Sequence, residues 1–236
     1  MSERWHTVDG RPVRSLVAGD QRVGVPELVV VPGLGALGYL LPTVAACAAW
    51  TRVHLLDVPG FGDPRTAHLP SELDAISRTV GAWLADVPST PVLLLGHSTG
   101  AQAALHATLL QPARVQVLAL GGATFAPAQR RPLPLVAQVL RTLVHERAGE
   151  LPAVLPYYLR GRHGLPALVR TCLADRPEDV AAQVQPRRVV LRGRHDHLCP
   201  QAWAERLADE VVVLPGAHNA PYTHPAETAA ALRALA

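Results

Sequence analysis

Six short runs of valine and leucine, at residues 28–31, 53–56, 92–95, 115–120, 189–191 and 211–214, most tightly constrain how this chain folds. They are nearly all apolar rather than alternating, as in strands buried on both faces of a parallel sheet. Segments with helical spacing lie between them: Leu73, Ile76, Val80 and Leu84 behind Ser71, then Ala101, Leu105 and Leu109, and Trp203 and Leu207 behind Pro200. Pro225 opens a last, Ala-rich stretch, and Ser71 with Asp74 is expected to close a capping box. Strand alternating with helix predicts an α/β fold, a mostly parallel doubly wound sheet. Ahead of it, residues 4–8 and 12–17 flank Asp9-Gly10, a dipeptide that favours tight hairpin turns, so two antiparallel strands are expected first.

The alternation breaks once. Between residues 124 and 186, Pro127, Pro132, Pro134, Pro152, Pro156, Pro166 and Pro177 divide several short apolar segments. This predicts a helical cap or lid insertion, 124–186, over a core formed by residues 1–123 and 187–236. The chain is 49% hydrophobic and 17% charged, enough apolar material for a packed core and too little charge for disorder.

All 22 basic residues are arginine, yet 19 acids leave a net charge of only +3. The Arg pairs at 130/131, 160/162 and 187/188 lack interleaved aromatics on which bases could stack, so a solvated face is expected and no nucleic-acid partner. Residues 28–50 carry no charge and are long enough to cross a bilayer. Pro32, Gly33, Gly35, Gly38 and Pro42 punctuate them, which favours a strand, a turn and a short helix over a membrane span. Three widely spaced cysteines, Cys47, Cys172 and Cys199, and no apolar signal core in residues 1–10 predict a reduced, cytoplasmic setting.

Gly96-His97-Ser98-Thr99-Gly100 joins a predicted strand directly to a predicted helix. On so sharp a turn a serine is forced into strained backbone and its hydroxyl projects above the sheet, with small residues two places either side to relieve crowding. Ser98 is therefore the candidate nucleophile. A hydroxyl needs a base to accept its proton at neutral pH, and imidazole suits the task. His218 stands in the loop after run 211–214, at the carboxyl edge of the sheet where ligands bind in such folds. His97 is given a structural role because neighbouring turn residues point different ways, and His224 is read as a surface residue opening the last helix.

A carboxylate must orient that imidazole, and Asp196, in the loop after run 189–191, is the candidate. Asp57 and Asp63 compete for the role but are read as turn formers. The anion formed on attack needs backbone donors: Thr99 N–H at the helix start, with Leu34 N–H chosen from the loop after Val31 and Gly35 as the alternative. His195, Asp196, His197 and Cys199 carry possible metal ligands but lack zinc-site spacing, so neither metal nor other cofactor is expected.

With these motifs assembled, the sequence resembles the α/β-hydrolase family over nearly its whole length. Pro32-Gly33-Leu34-Gly35 looks like the family's oxyanion loop, residues 57–62 like the turn after its next strand, and 96–100 like its nucleophile elbow. Gly193-Arg194-His195-Asp196 with Pro200 is similar to its acid loop, and Gly216-Ala217-His218 with Pro225 to its histidine loop. One departure is Pro32, where the family often has His. The resemblance implies hydrolysis of a carboxylic ester through an acyl-enzyme on Ser98, and a serine there sets the chain apart from relatives with an aspartate nucleophile. The expected partner is a small or medium hydrophobic ester. An acyltransferase or carbon–carbon bond hydrolase would use the same three residues, and a receptor or binding protein would keep the fold without turnover.

Overall fold

A computed structural model describes residues 1–66 and 69–236. Its eight strands are β1 (Ser2–Val8), β2 (Arg11–Ala18), β3 (Leu28–Val31), β4 (Val53–Leu56), β5 (Val92–His97), β6 (Val115–Gly121), β7 (Arg187–Gly193) and β8 (Glu210–Leu214). They form one sheet in the order β1-β2-β4-β3-β5-β6-β7-β8. The hairpin β1/β2 and the pair β2/β4 are antiparallel, and every later pair is parallel. This is the mostly parallel α/β-hydrolase sheet, and all six apolar runs are strands within it.

Helices α1 (Leu41–Cys47), α2 (Leu73–Asp86) and α3 (Thr99–Leu110) follow β3, β4 and β5. Between β6 and β7 the chain forms α4 (Pro132–Leu143), α5 (Leu151–Gly161), α6 (Leu165–Ala174) and α7 (Pro177–Ala181). Then come α8 (Gln201–Leu207) before β8, and α9 (Ala220–Thr223) and α10 (Pro225–Arg233) after it. None of the described helices is long and apolar enough to cross a membrane.

The two-residue period of a strand explains why the runs are apolar throughout. Val29, Val31 and Leu94 point to one face, packing with Trp83, Leu84 and Leu105 from α2 and α3. Leu28, Val30 and Leu93 point to the other, against Val44 and Cys47 of α1 and Leu232 of α10. With both faces covered, reactive side chains can reach solvent only from the loops at the strand ends.

The expected capping box on α2 is absent. Its N-cap is Glu72, in extended backbone with no side-chain cap. A residue far along the chain supplies a hydrogen bond instead: Leu73 N–H donates to Thr171 Oγ1 of α6 at 3.1 Å. Asp74 pairs along the helix with Arg78, one turn on.

Asp57 also does more than form a turn. It accepts Gly62 N–H at 2.9 Å, and its Oδ2 takes Arg14 Nε at 2.9 Å and Nη2 at 2.6 Å, with the carboxylate wholly buried. Burial pushes its pKa up even against the pull of Arg14. The pair fastens the amino-terminal hairpin to the sheet, and removing one member leaves the other charge buried alone. Arg14→Met should therefore cost about 3–5 kcal/mol in urea unfolding, with most of it regained in Arg14→Met/Asp57→Leu. A loss of under about 1 kcal/mol would mean that the pair behaves like an exposed one.

Candidate active site

Ser98 sits between the end of β5 and the start of α3 with φ 56° and ψ −124°, a conformation that side chains rarely adopt. Its N–H donates to Gly121 O of β6 at 2.7 Å, which holds the turn against the neighbouring strand. The strand-to-helix reversal brings backbone too close for side chains at either flank. A Cβ on Gly96 would lie 2.3 Å from Gly100 O, and one on Gly100 would lie 2.4 Å from Val31 O. The two glycines of the motif are thus required by sterics.

The loops after β7 and β8 meet this turn. His218 Nε2 is 2.9 Å from Ser98 Oγ, and His218 Nδ1 is 3.1 Å from Asp196 Oδ2. The neutral tautomer that satisfies both contacts donates from Nδ1 to the carboxylate and accepts the serine O–H at Nε2. Asp196 is itself fixed, its Oδ1 accepting Leu198 N–H at 2.9 Å and Cys199 N–H at 3.1 Å. Burial would raise the Asp196 pKa, but the His218 charge and hydrogen bond, with Cys199 N–H, outweigh it and hold it below the usual range. For His218 burial is again the largest single influence and acts downward. The Asp196 charge and hydrogen bond, helped by Glu146 and Glu150, overcome it and raise the imidazole above 6.5.

The other candidates lie elsewhere. Asp57 faces Arg14, and Asp63 turns back on Arg65 N–H at 2.9 Å. His224 is the half-buried N-cap of α10, against Thr223 Oγ1. The possible metal ligands diverge: Asp196 faces His218, while the His195 ring stacks on His145 at 4.4 Å.

Leu34 has φ 46° and its N–H donates to Thr99 Oγ1 at 2.8 Å. Thr99 opens α3, so its own N–H has no partner within the helix. The chosen Leu34 donor thus already touches the side chain of the other oxyanion candidate. Gly33 N–H, one residue earlier, donates to Tyr39 Oη at 2.9 Å.

That last bond begins a chain the sequence did not reveal. Tyr39 Oη is 2.8 Å from His97 Nδ1, and His97 Nε2 is 2.9 Å from His218 O. A carbonyl only accepts, so His97 is protonated on Nε2 and takes the Tyr39 O–H at Nδ1. Burial, with His218 nearby, pushes the His97 pKa down to about 3. His97 therefore joins the Gly33 loop to the His218 loop as a neutral bridge. Glu146 and Glu150 were also missed: both bind Asn219, next to His218, through its N–H and its Nδ2. They are the only acids from residue 124 to 174, which was the signal available for them.

A cavity of about 730 Å³ opens beside Ser98, with Leu135, Val139, Leu151 and Val154 in its wall.

A profile of the alpha/beta hydrolase family matches residues 28–231. The chain belongs to that family. Among relatives of this alpha/beta hydrolase, a Pseudomonas putida dihydrolipoyllysine-residue acetyltransferase component of the acetoin cleaving system is 38% identical over 114 residues, 48% of this chain and 30% of that protein. A Vibrio campbellii pimeloyl-[acyl-carrier protein] methyl ester esterase is 33% identical over 94 residues, 39% of this chain and 35% of that one. The matches thus span about a third of each relative's length. A solved serine hydrolase involved in carbazole degradation superposes with a TM-score of 0.77 at 21% identity, covering 99% of this chain and 98% of that one, and shares the fold.

The two buried imidazoles of this alpha/beta hydrolase should titrate far apart. In histidine NMR spectra His97 should stay neutral, protonated on Nε2, down to about pH 3, while His218 titrates above 6.5. Titration of both near 6.5 would contradict the buried bridge.

Proposed function

We propose that this alpha/beta hydrolase cleaves a carboxylic ester through an acyl-enzyme on Ser98, with His218 as base and Asp196 as the carboxylate that orients it. The observation that carries the reading is the unbroken hydrogen-bonded line from Asp196 through His218 to Ser98, opening on an apolar cavity. Ser98 Oγ attacks the ester carbonyl as its proton passes to His218 Nε2, and the imidazolium formed is stabilised by Asp196. The tetrahedral oxygen anion is held by Thr99 N–H at the positive end of α3 and by Leu34 N–H, which exchanges its bond to Thr99 Oγ1 for the anion as charge develops. His218 then protonates the leaving alkoxide, and the alcohol departs. Water, deprotonated by His218, attacks the acyl-enzyme, and collapse of the second tetrahedral intermediate releases the acid and restores the Ser98 hydroxyl.

The esterase name of the Vibrio relative supports a carboxylic ester as substrate. Residues 124–186 serve in this reading as a cap over the core of residues 1–123 and 187–236, and their apolar side chains select a small or medium hydrophobic ester. A cytoplasmic setting accords with three free, buried thiols at Cys47, Cys172 and Cys199.

A fluorophosphonate should label the protein, and Ser98→Ala should abolish labelling and lower hydrolysis of 4-nitrophenyl butyrate about 10³-fold or more without loss of fold. Labelling that survives the substitution would refute the assignment of the nucleophile. The base works only when neutral, and its raised pKa means that activity is present above that value and lost as pH falls through it. The inflection should stand above 6.5, and Asp196→Asn should move it downward; an unmoved inflection would separate Asp196 from the base.

A further inference from the structure

Exposed apolar side chains on a folded protein are normally scattered singly. Here they are gathered: eight of the thirteen large ones among the described residues lie between residues 133 and 159. On α4, Leu133, Val136, Leu140 and Leu143 recur at three- and four-residue spacing and so form one stripe, which Val144 continues. Leu133 is 83% and Val144 77% exposed, so these side chains cover little of the protein itself. On α5, Leu151, Leu155 and Leu159 form a second stripe. Leu143 and Leu151 also line the cavity beside Ser98, so both stripes run up to its mouth.

The same stretch holds the chain's positive charge. Residues 124–174 carry seven arginines against two acids, whereas all the others carry fifteen arginines against seventeen acids. Neither of the two acids is exposed, and both are hydrogen-bonded to Asn219. Arg131, Arg141, Arg147 and Arg162 are exposed, and no ion pair among the described residues includes them. Arg131 precedes the α4 stripe, Arg141 follows Leu140, and Arg162 stands one turn beyond Leu159. Long arginine stems can lie along apolar surface while the guanidinium reaches outward to an anion.

This combination discriminates among occupants. Two copies facing each other would bring arginine against arginine, which like charge opposes. The exposed side chains of both stripes are all leucine or valine, without the aromatics that mark the centre of a protein–protein interface. Aliphatic stripes edged by cations match a surface that is hydrocarbon within and negatively charged at its rim.

We propose that α4 and α5 form a docking face for an anionic lipid surface, with the leucine stripes set at the boundary of headgroups and acyl chains and the arginines on the lipid phosphates. The helices lie in that boundary and do not span it. The mouth of the cavity then faces the lipid, and an apolar ligand passes to Ser98 without crossing water. The inference stands on the exposed face and its charge, and needs no ester chemistry.

Cosedimentation of the whole protein with lipid vesicles tests this. Vesicles of equimolar phosphatidylcholine and phosphatidylglycerol should bind it about tenfold or more tightly than phosphatidylcholine alone. Salt at about 1 M should weaken that binding. Leu133→Ser/Leu140→Ser and Arg131→Gln/Arg141→Gln alter exposed positions outside the cavity wall and should leave the circular dichroism spectrum unchanged. Each pair should weaken binding to the mixed vesicles about tenfold or more. Failure of the unsubstituted protein to bind the mixed vesicles would overturn the inference. So would binding that ignores the leucine pair, since charge attraction alone is what any acidic macromolecule supplies. A dimer in solution that Leu133→Ser/Leu140→Ser splits would also overturn it, assigning the face to a second copy.

Discussion

A single imidazole joins three distant parts of this chain. His218 has a ring nitrogen within 3.1 Å of Asp196 and the other 2.9 Å from Ser98, contacts that need the ends of β5, β7 and β8 to lie along one edge. Parallel pairing supplies that edge: β5 joins β6, β6 joins β7 and β7 joins β8 with all carboxyl ends together. The strained serine depends on the same pairing, since its N–H reaches Gly121 O at the end of β6. The sheet thus positions the chemistry as well as burying the core.

A second connection lies beneath the first. Neutral His97 links the Gly33 loop, through Tyr39, to the carbonyl of His218. The loop that would face the oxygen anion and the loop that carries His218 are therefore held by one buried ring. From the other side Glu146 and Glu150 hold Asn219. In the proposed reaction, fixing the imidazole from both sides would limit the reorganisation needed when charge develops, which is where such sites gain most of their rate.

Much of this was legible in the sequence because short-range rules governed it. Runs of apolar residues identified the strands, and Gly96 and Gly100 marked a turn where a Cβ does not fit. Position along the alternation pointed to Asp196 rather than Asp57 and to His218 rather than His224, and the structure brings Asp196 and His218 together beside Ser98. Long-range pairing was less visible. Thr171 hydrogen-bonds the start of α2 from nearly a hundred residues away, which no local capping pattern encodes. Asp57 read as a turn former because its turn is local, whereas Arg14 meets it only after the hairpin has paired with β4. The same limit concealed Tyr39 and the two glutamates, whose partners lie on other elements.

Whether Ser98 and His218 act as one unit is tested most directly by a double-mutant cycle on turnover of a 4-nitrophenyl ester. If the serine is reactive only because His218 accepts its proton, Ser98→Ala/His218→Ala will be no slower than Ser98→Ala alone, since the first loss already removes what the second contributes. Losses that multiply in the double variant would show two independent groups and contradict the account.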